Sequence, residues 1–167
     1  MTKIKSSQAL TYLNVTPESP HVLGSALATY ALLGPGVTKA DIGMNPETTD
    51  EQFIGEDSGT SSLDSYGPTM PISQTAILGD EAFNFIDQLR LDLAILGDAE
   101  TDIVNAWAYE TEVSPGVYPA EQQKVAISVE DIGDAAGSPI ALNYTISYVG
   151  AAVVGTCVIA TGAFTAT

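Results

Sequence analysis

The sequence predicts a mainly antiparallel β domain covered by one α-helix, and three observations support this fold class. Period-two alternation of apolar and polar side chains recurs along the chain. A helical spacing of apolar residues stands out once. The length of 167 residues fits one hydrophobic core, and no internal repeat or linker divides it. We therefore expect a single domain over residues 1–167.

Three segments carry the alternation that is typical of half-buried strands, Lys39–Met44, Val125–Asp131 and Leu142–Tyr148, and a further strand is expected over Ile103–Tyr109, which contains Trp107. In the first, Ala40, Ile42 and Met44 share the predicted core face. The turn-rich segment 131–139 joins the last two strands, which predicts a β-hairpin with a long connection.

One helix is predicted over about residues 80–92. Asp80 is a favourable N-cap, and Glu81 places negative charge at the positive end of the helix dipole. One apolar stripe then follows at helical spacing, formed by Ala82, Phe83, Phe85, Ile86 and Leu89.

The charge of the chain is strongly negative and unevenly placed. The formal net charge is −16, which opposes stable binding to nucleic-acid phosphates. Only Lys3 and Lys5 are charged before Glu18, and no charged side chain follows Asp134. The surface of a soluble monomer normally carries mixed charge, so nearly uncharged ends beside an acidic middle indicate that the ends are buried against another chain. An acidic surface that keeps the protein soluble in a salt-adapted host is the other interpretation.

The segment from Asn45 to Tyr66 is polar and acidic. We expect it to form a long loop over about residues 45–64. Since most connections in a compact domain are short, a loop of this length is usually functional or mobile.

Catalytic chemistry finds little support in the sequence. His21 is the one histidine, in a loop-like stretch near Pro20, and no Ser–His–Asp or Cys–His arrangement stands out around it. With Cys157 as the one cysteine, the histidine and cysteine ligands of a zinc site are too few. Cys157 lies among valines and is expected to be a buried, inert thiol. We expect no enzyme and no cofactor.

Calcium is the stronger chemical candidate. Asp98, Glu100 and Asp102 alternate after Gly97, and Ca²⁺ prefers oxygen ligands. Ile103 stands where an EF-hand requires glycine, so we expect a solvated acidic segment and no metal site. The weaker pair Asp131 and Asp134 carries the same expectation.

No membrane segment is expected. The uncharged stretch from Ile146 to Phe164 has the length of a membrane helix, but three glycines interrupt it and no basic residue flanks it. The N-terminus lacks the apolar stretch of a secretory signal, so we expect the chain to be assembled in the cytoplasm.

Two parts of the sequence carry a family resemblance. The first contains Tyr66-Gly-Pro68 at a strand end and Gly79-Asp80 at the start of an aromatic helix. The second runs from Tyr118 to Ile140 in the last predicted hairpin, which ends in Gly150 and Gly155. Together they cover roughly half of the chain, and in their motifs and order they resemble the major tail tube proteins of tailed phages.

The resemblance implies an antiparallel β-sandwich or barrel-like tail tube fold and a hexameric ring. Each subunit would contribute strands to a shared inner barrel. We expect Asp41 and Glu130 to line its acidic lumen, because they lie on the polar faces of predicted strands. Rings would stack through extended arms at about residues 1–8 and 150–167 and through the acidic loop, whose candidate contact residues are Glu47, Asp50, Glu51, Glu56, Asp57 and Asp64.

The implied partners are other copies of the chain and the tape-measure, tail-terminator and baseplate hub proteins. The implied location is the virion tail, with DNA passing in transit and without stable binding. The sequence leaves open a head–tail joining or capsid-decorating protein and an acidic calcium-binding β module. It also leaves open whether the tail contracts and whether the cargo is DNA or protein.

Overall fold

The structure is a computed structural model that describes residues 3–18, 23–25, 27–52, 54–55 and 57–167. Two short 3₁₀ turns lie at Ser6–Gln8 and Leu96–Ala99. The regular elements are β1 (Ala9–Asn14), β2 (Tyr30–Leu32), β3 (Val37–Ala40), β4 (Pro46–Glu51), β5 (Thr60–Tyr66), β6 (Thr69–Thr75), α1 (Glu81–Leu91), β7 (Glu100–Trp107), β8 (Val117–Gly133), β9 (Ala141–Val158) and β10 (Ala163–Ala166).

Eight strands form one curled antiparallel sheet that makes a half-barrel. Its strand order is β2-β1-β7-β8-β9-β6-β3, and β10 pairs with the end of β9. Strands β4 and β5 form a separate two-stranded sheet. The predicted mainly β fold with one helix is confirmed.

The long hairpin of β8 and β9 organises the sheet into two halves. Strand β7 pairs only with the first part of β8, up to Ala126. Strand β6 pairs with the first part of β9, up to Ser147, and β10 pairs with its last residues. We call the part of the sheet built on hairpin residues 127–133 and 141–147, with β6 and β3, the tip half, and the rest of the sheet the base half.

Hydrophobic clusters lie on both faces of the sheet. One packs beneath α1 and includes Leu13, Ile86 and Ile103. The other, on the opposite face in the base half, includes Tyr12, Val104 and Cys157. Strand β7 therefore has both faces covered, and its residues from Thr101 to Ala106 are all buried.

The helix is confirmed where the sequence predicts it. The side chain of Asp80 accepts a hydrogen bond from the Ala82 N–H at 3.3 Å, and Gln74 Nε2 donates to its other oxygen at 2.7 Å. Ala82 and Ile86 of the predicted stripe are fully buried. The helix ends at Leu91, after which Leu93 adopts a left-handed backbone conformation with φ of 49°.

The predicted strand over Lys39–Met44 is only partly correct. Strand β3 ends at Ala40, and the predicted core face of Ala40, Ile42 and Met44 is exposed. The alternation misleads here because β3 is the last strand of the sheet and no layer covers its end. The strand predicted from Ile103 starts three residues earlier, at Glu100.

The acidic segment predicted as a loop is in fact a hairpin of β4 and β5. The sequence pattern suggests a loop because every residue of both strands is exposed, so neither face shows a period of apolar side chains. The uncharged C-terminal residues form the end of β9 and the paired strand β10. Gly155 permits this pairing, because a Cβ at that position would collide with the backbone of Thr165.

No described helix has the length and apolar character that a membrane crossing requires.

Candidate assembly surfaces

Four strands of the tip half form a sector with one apolar and one polar face. In the order β8-β9-β6-β3 they carry Ile127, Tyr144 and Ile72 on the face that packs in the core. The opposite face carries small polar and charged side chains, among them Ser128, Glu130, Asn143, Thr145, Ser73 and Lys39. We call these four strands the tip sector.

Hydrogen bonds and one ion pair hold the acids of the polar face. Thr145 Oγ1 donates to Glu130 Oε1 at 2.6 Å, and Asn143 Nδ2 donates to Asp131 Oδ1 at 2.7 Å. Asp41 follows β3, and its Oδ2 lies 3.8 Å from Lys39 Nζ. The two predicted lumen residues, Asp41 and Glu130, thus lie at opposite edges of the same exposed face.

Both edges of the tip sector lack a strand partner among the described residues. Strand β7 stops pairing with β8 at Ala126, which leaves residues 127–133 open on that side. Strand β3 pairs with β6 on one side and with no described strand on the other. Because neighbouring strands alternate in direction, β8 and β3 run in opposite directions.

Strands β4 and β5, residues 46–51 and 60–66, project as an exposed ribbon. The bridge between Gly43 and Thr69 continues the ladder of β3 and β6 into the ribbon. Asn45, with φ of 43°, fixes its start by donating from Nδ2 to the Gly67 carbonyl and Thr69 Oγ1, both at 2.9 Å. The ribbon is therefore an extension of the sheet away from the core.

The predicted ring-stacking acids lie along this ribbon. Glu47, Asp50 and Glu51 are in β4, and Asp64 is in β5. Ser65 Oγ donates to Glu47 Oε2 at 3.0 Å, while Thr49 and Ser62 donate to Asp64. Asp57 lies in the connection between the strands, and Glu56 lies outside the described residues.

An apolar groove of about 670 Å³ runs beside the open edge of β3. It lies between that edge and the strands β1 and β7, so the curled sheet stays open there. Its apolar lining includes Leu10, Leu32, Leu33, Val37, Met70 and Trp107.

An exposed apolar knuckle over residues 91–97 lies near the other open edge. Leu93 and Leu96 are 81% and 84% exposed, and both have positive φ, which is costly for leucine. Leu91 and Ile95 are exposed as well. The turn Leu96–Ala99 contacts β8 and leads into Glu100, which pairs with Ala126 of β8. The knuckle therefore lies close to residue 127, where the open edge of β8 begins.

The calcium candidate does not assemble. Glu100 Oε2 forms an ion pair with Lys124 Nζ at 2.5 Å, and Asp98 is exposed. Asp102 is buried and accepts from Asn14 Nδ2, Tyr30 OH and Gln122 Nε2 at 2.8, 2.5 and 2.8 Å. Within the described ranges, no three His, Cys, Asp or Glu side chains come together as a metal site.

The buried groups of the base half have a structural role. Burial raises the pKa of the Tyr30 hydroxyl, and its hydrogen bond to Asp102 raises it further. Burial also raises the pKa of the Cys157 thiol to about 11, which disfavours the reactive thiolate. The predicted buried thiol is confirmed. His21 lies outside the described residues.

Sequence reasoning missed Lys39, Asp131 and Ile132 as candidate interface residues. Lys39 is the one basic residue between Lys5 and Arg90, and this isolation within an acidic stretch is a signal that the sequence does contain. Ile132 gave no signal, because only the strand register shows that it faces the core side at an open edge.

Comparisons with known proteins show distant structural neighbours. No protein-family model and no curated protein matches this chain. The tube-terminating cap of the anti-feeding prophage aligns over 94% of this chain and 93% of its own, at 13% identity and a TM-score of 0.49. The sheath/tube terminator of the PVC extracellular contractile injection system aligns over 92% and 97%, at 12% identity and a TM-score of 0.46. These likenesses assign no role to this chain.

Proposed function

We propose that this chain is a structural, non-enzymatic subunit of a phage tail or phage-tail-like particle. Its copies close into rings, and the rings stack into a tail tube through which the cargo passes. The number of six copies per ring is what the sequence resemblance implies. The observation that carries this function is the tip sector, which is polar on one face and open at both edges.

Two open edges of opposite direction favour a ring. The β8 edge of one copy can pair in antiparallel fashion with the β3 edge of the next, which is a head-to-tail contact between different surfaces. Such contacts generate closed rings when the rotation between copies closes. Ring closure would also remove the exposed edges, which otherwise invite uncontrolled aggregation.

The polar face suits the lining of a conduit. Three acidic side chains of this face, Asp41, Glu130 and Asp131, outnumber the basic side chain of Lys39. Each copy would therefore add net negative charge to the lumen. A negative lumen repels DNA phosphates and lets the genome slide without sticking. Replacement of Asp41 by lysine is expected to slow ejection through assembled tubes, and normal ejection would refute the acidic lumen.

The ribbon suits contacts between rings. It extends from the same strands that carry the open edge and has no buried residue of its own. We propose that its acids and Leu63 contact the next ring along the tube.

Electron microscopy of two matched variants tests this function. Leu63→Glu alters the ribbon, whereas Leu78→Glu makes the same change at an exposed site outside the proposed contacts. We expect the wild type and Leu78→Glu to form stacked rings, and Leu63→Glu to form single rings. A wild type that forms single rings alone would indicate a joining or terminating ring instead of a tube. A wild type that stays monomeric in low and high salt would refute the assembly role.

A further inference from the structure

We propose, on the basis of the ring above, a specific interface in which β8 of one copy inserts beside β3 of its neighbour. The register sets Val37 against Ile132 and Lys39 against Glu130 of the second copy. The apolar groove beside β3 then receives apolar side chains of the second copy, and Lys39 gains carboxylate partners.

In this register, the paired residues of the two strands lie on the same side of the sheet. Val37 pairs with the buried Gln74 and Ile132 pairs with the buried Leu142, so both lie on the core side of the sheet. Lys39 pairs with Ser73 on the polar side, where Glu130 also lies. Residues two apart lie on opposite sides here because both strands carry a bulge, between Val37 and Lys39 in β3 and between Val129 and Asp131 in β8. A slip by one residue that set Lys39 against Val129 would oppose a polar-side residue and a core-side residue.

The charges of the two edges are complementary. Arg90 and Lys124 already form close ion pairs within the chain, whereas Lys39 is 65% exposed with Asp41 at 3.8 Å. The structure shows no basic side chain within ion-pair distance of Glu130 or Asp131 in the described residues. The β3 edge therefore offers a cation to an edge that holds two carboxylates, and such complementarity fixes register and partner.

The apolar surfaces also match. Ile132 is 39% exposed although it lies on the core side, because β8 has no neighbour there. A strand added to β3 continues the sheet, and its core-side residues would project into the groove lined by Leu33 and Val37. The one docking event would thus bury Ile132 and fill the groove.

The same register gives the exposed knuckle a partner. The chain beyond β3 carries exposed Ile42 and Met44. Because the strands are antiparallel, this segment would run past Ile127 of the second copy toward its knuckle at residues 91–97. Leucines held at positive φ on the surface would then pack against Ile42 and Met44 across the interface.

A charge exchange tests the register in the full chain. Lys39→Glu and Glu130→Lys each place like charges together, and we expect each to raise the concentration for half-assembly at least about tenfold, measured by native mass spectrometry. The double variant restores one opposite pair in every interface, so assembly should recover to within about threefold of wild type, with Asp131 opposing full recovery. Glu110→Lys, an exposed acid outside the interface, is the control for net charge.

Zero-length crosslinking provides a second measurement. The edges of the tip sector are three strand spacings apart, about 14 Å, so a carbodiimide cannot join Lys39 to Glu130 or Asp131 within one copy. We expect these crosslinked peptides in the assembled fraction alone. If the wild type assembles without them, and both single variants assemble normally, the register is wrong and the ring stands. If the wild type never assembles, both proposals fall.

Discussion

Strand β7 and the ribbon of β4 and β5 are both regular β structure, yet their surroundings are opposite. Strand β7 is covered on both faces, and its residues from Thr101 to Ala106 are all buried. The ribbon has no buried residue on either face. Burial within one copy therefore explains the stability of β7, whereas the ribbon is stabilised mainly by the backbone hydrogen bonds between its own two strands. Isolated two-stranded hairpins are marginal in water, which is why we assign the ribbon a role between copies.

The sharpest test of this contrast is the buried carboxylate of Asp102. Asp102→Ala leaves the donors of Asn14, Tyr30 and Gln122 without their shared acceptor in the base half. We expect the free energy of unfolding to fall by about 3 kcal/mol or more, measured by chemical denaturation. The exposed Asp98→Ala should change it by less than about 0.5 kcal/mol. Equal effects would show that burial does not distinguish the two acids.

The next largest effect is expected at the face of α1 that packs on the sheet. Ile86→Ala removes a fully buried side chain and should destabilise the chain by about 2–4 kcal/mol in the same assay. Leu91→Ala in the last turn of the helix is the matched control, since Leu91 is 59% exposed. A loss at Leu91 as large as that at Ile86 would contradict the assigned core.

A smaller effect is expected at the start of the helix. Asp80→Ala removes the cap of the Ala82 N–H and the acceptor of Gln74, and should cost about 1–2 kcal/mol. Asp80→Asn keeps an acceptor for the cap and should cost less. Circular dichroism during thermal unfolding measures both, and an unchanged melting temperature for Asp80→Ala would argue against the cap.

The smallest effect on stability is expected in the ribbon. Leu63→Glu should change the unfolding free energy of the unassembled chain by less than about 0.5 kcal/mol, because Leu63 is exposed. The same substitution should prevent rings from stacking. A large loss of stability in the monomer would show that the ribbon belongs to the folding unit and not to the assembly surface.

The elements that could be predicted from sequence are those with one covered face. In the tip half, strands β8 and β9 pack one side against the core, as helix α1 does, so Ile127, Val129 and Leu142 recur with the period of their element. The hairpin between β8 and β9 could be predicted because the turn-rich segment 131–139 joins the two strands.

Elements with two equivalent faces could not be predicted in this way. Strand β7 has both faces buried, so its residues show no alternation of apolar and polar side chains. The start of the strand at Glu100 could therefore not be predicted. The ribbon has both faces exposed, and its threonines, serines and acids resemble a loop. The expectation of a solvated acid is wrong for Asp102, which is buried, because its partners Asn14 and Gln122 are distant from it in sequence. The pairing of edges depends on register, which composition does not contain.

Hydrogen exchange of the assembled and unassembled chain tests most directly whether other copies close the open half. Backbone amides on the outer sides of residues 37–40 and 127–133 should exchange rapidly in the monomer and become protected in the ring, while amides of β7 stay protected in both. If both edges exchange equally fast in the assembled protein, ring closure through these strands is refuted.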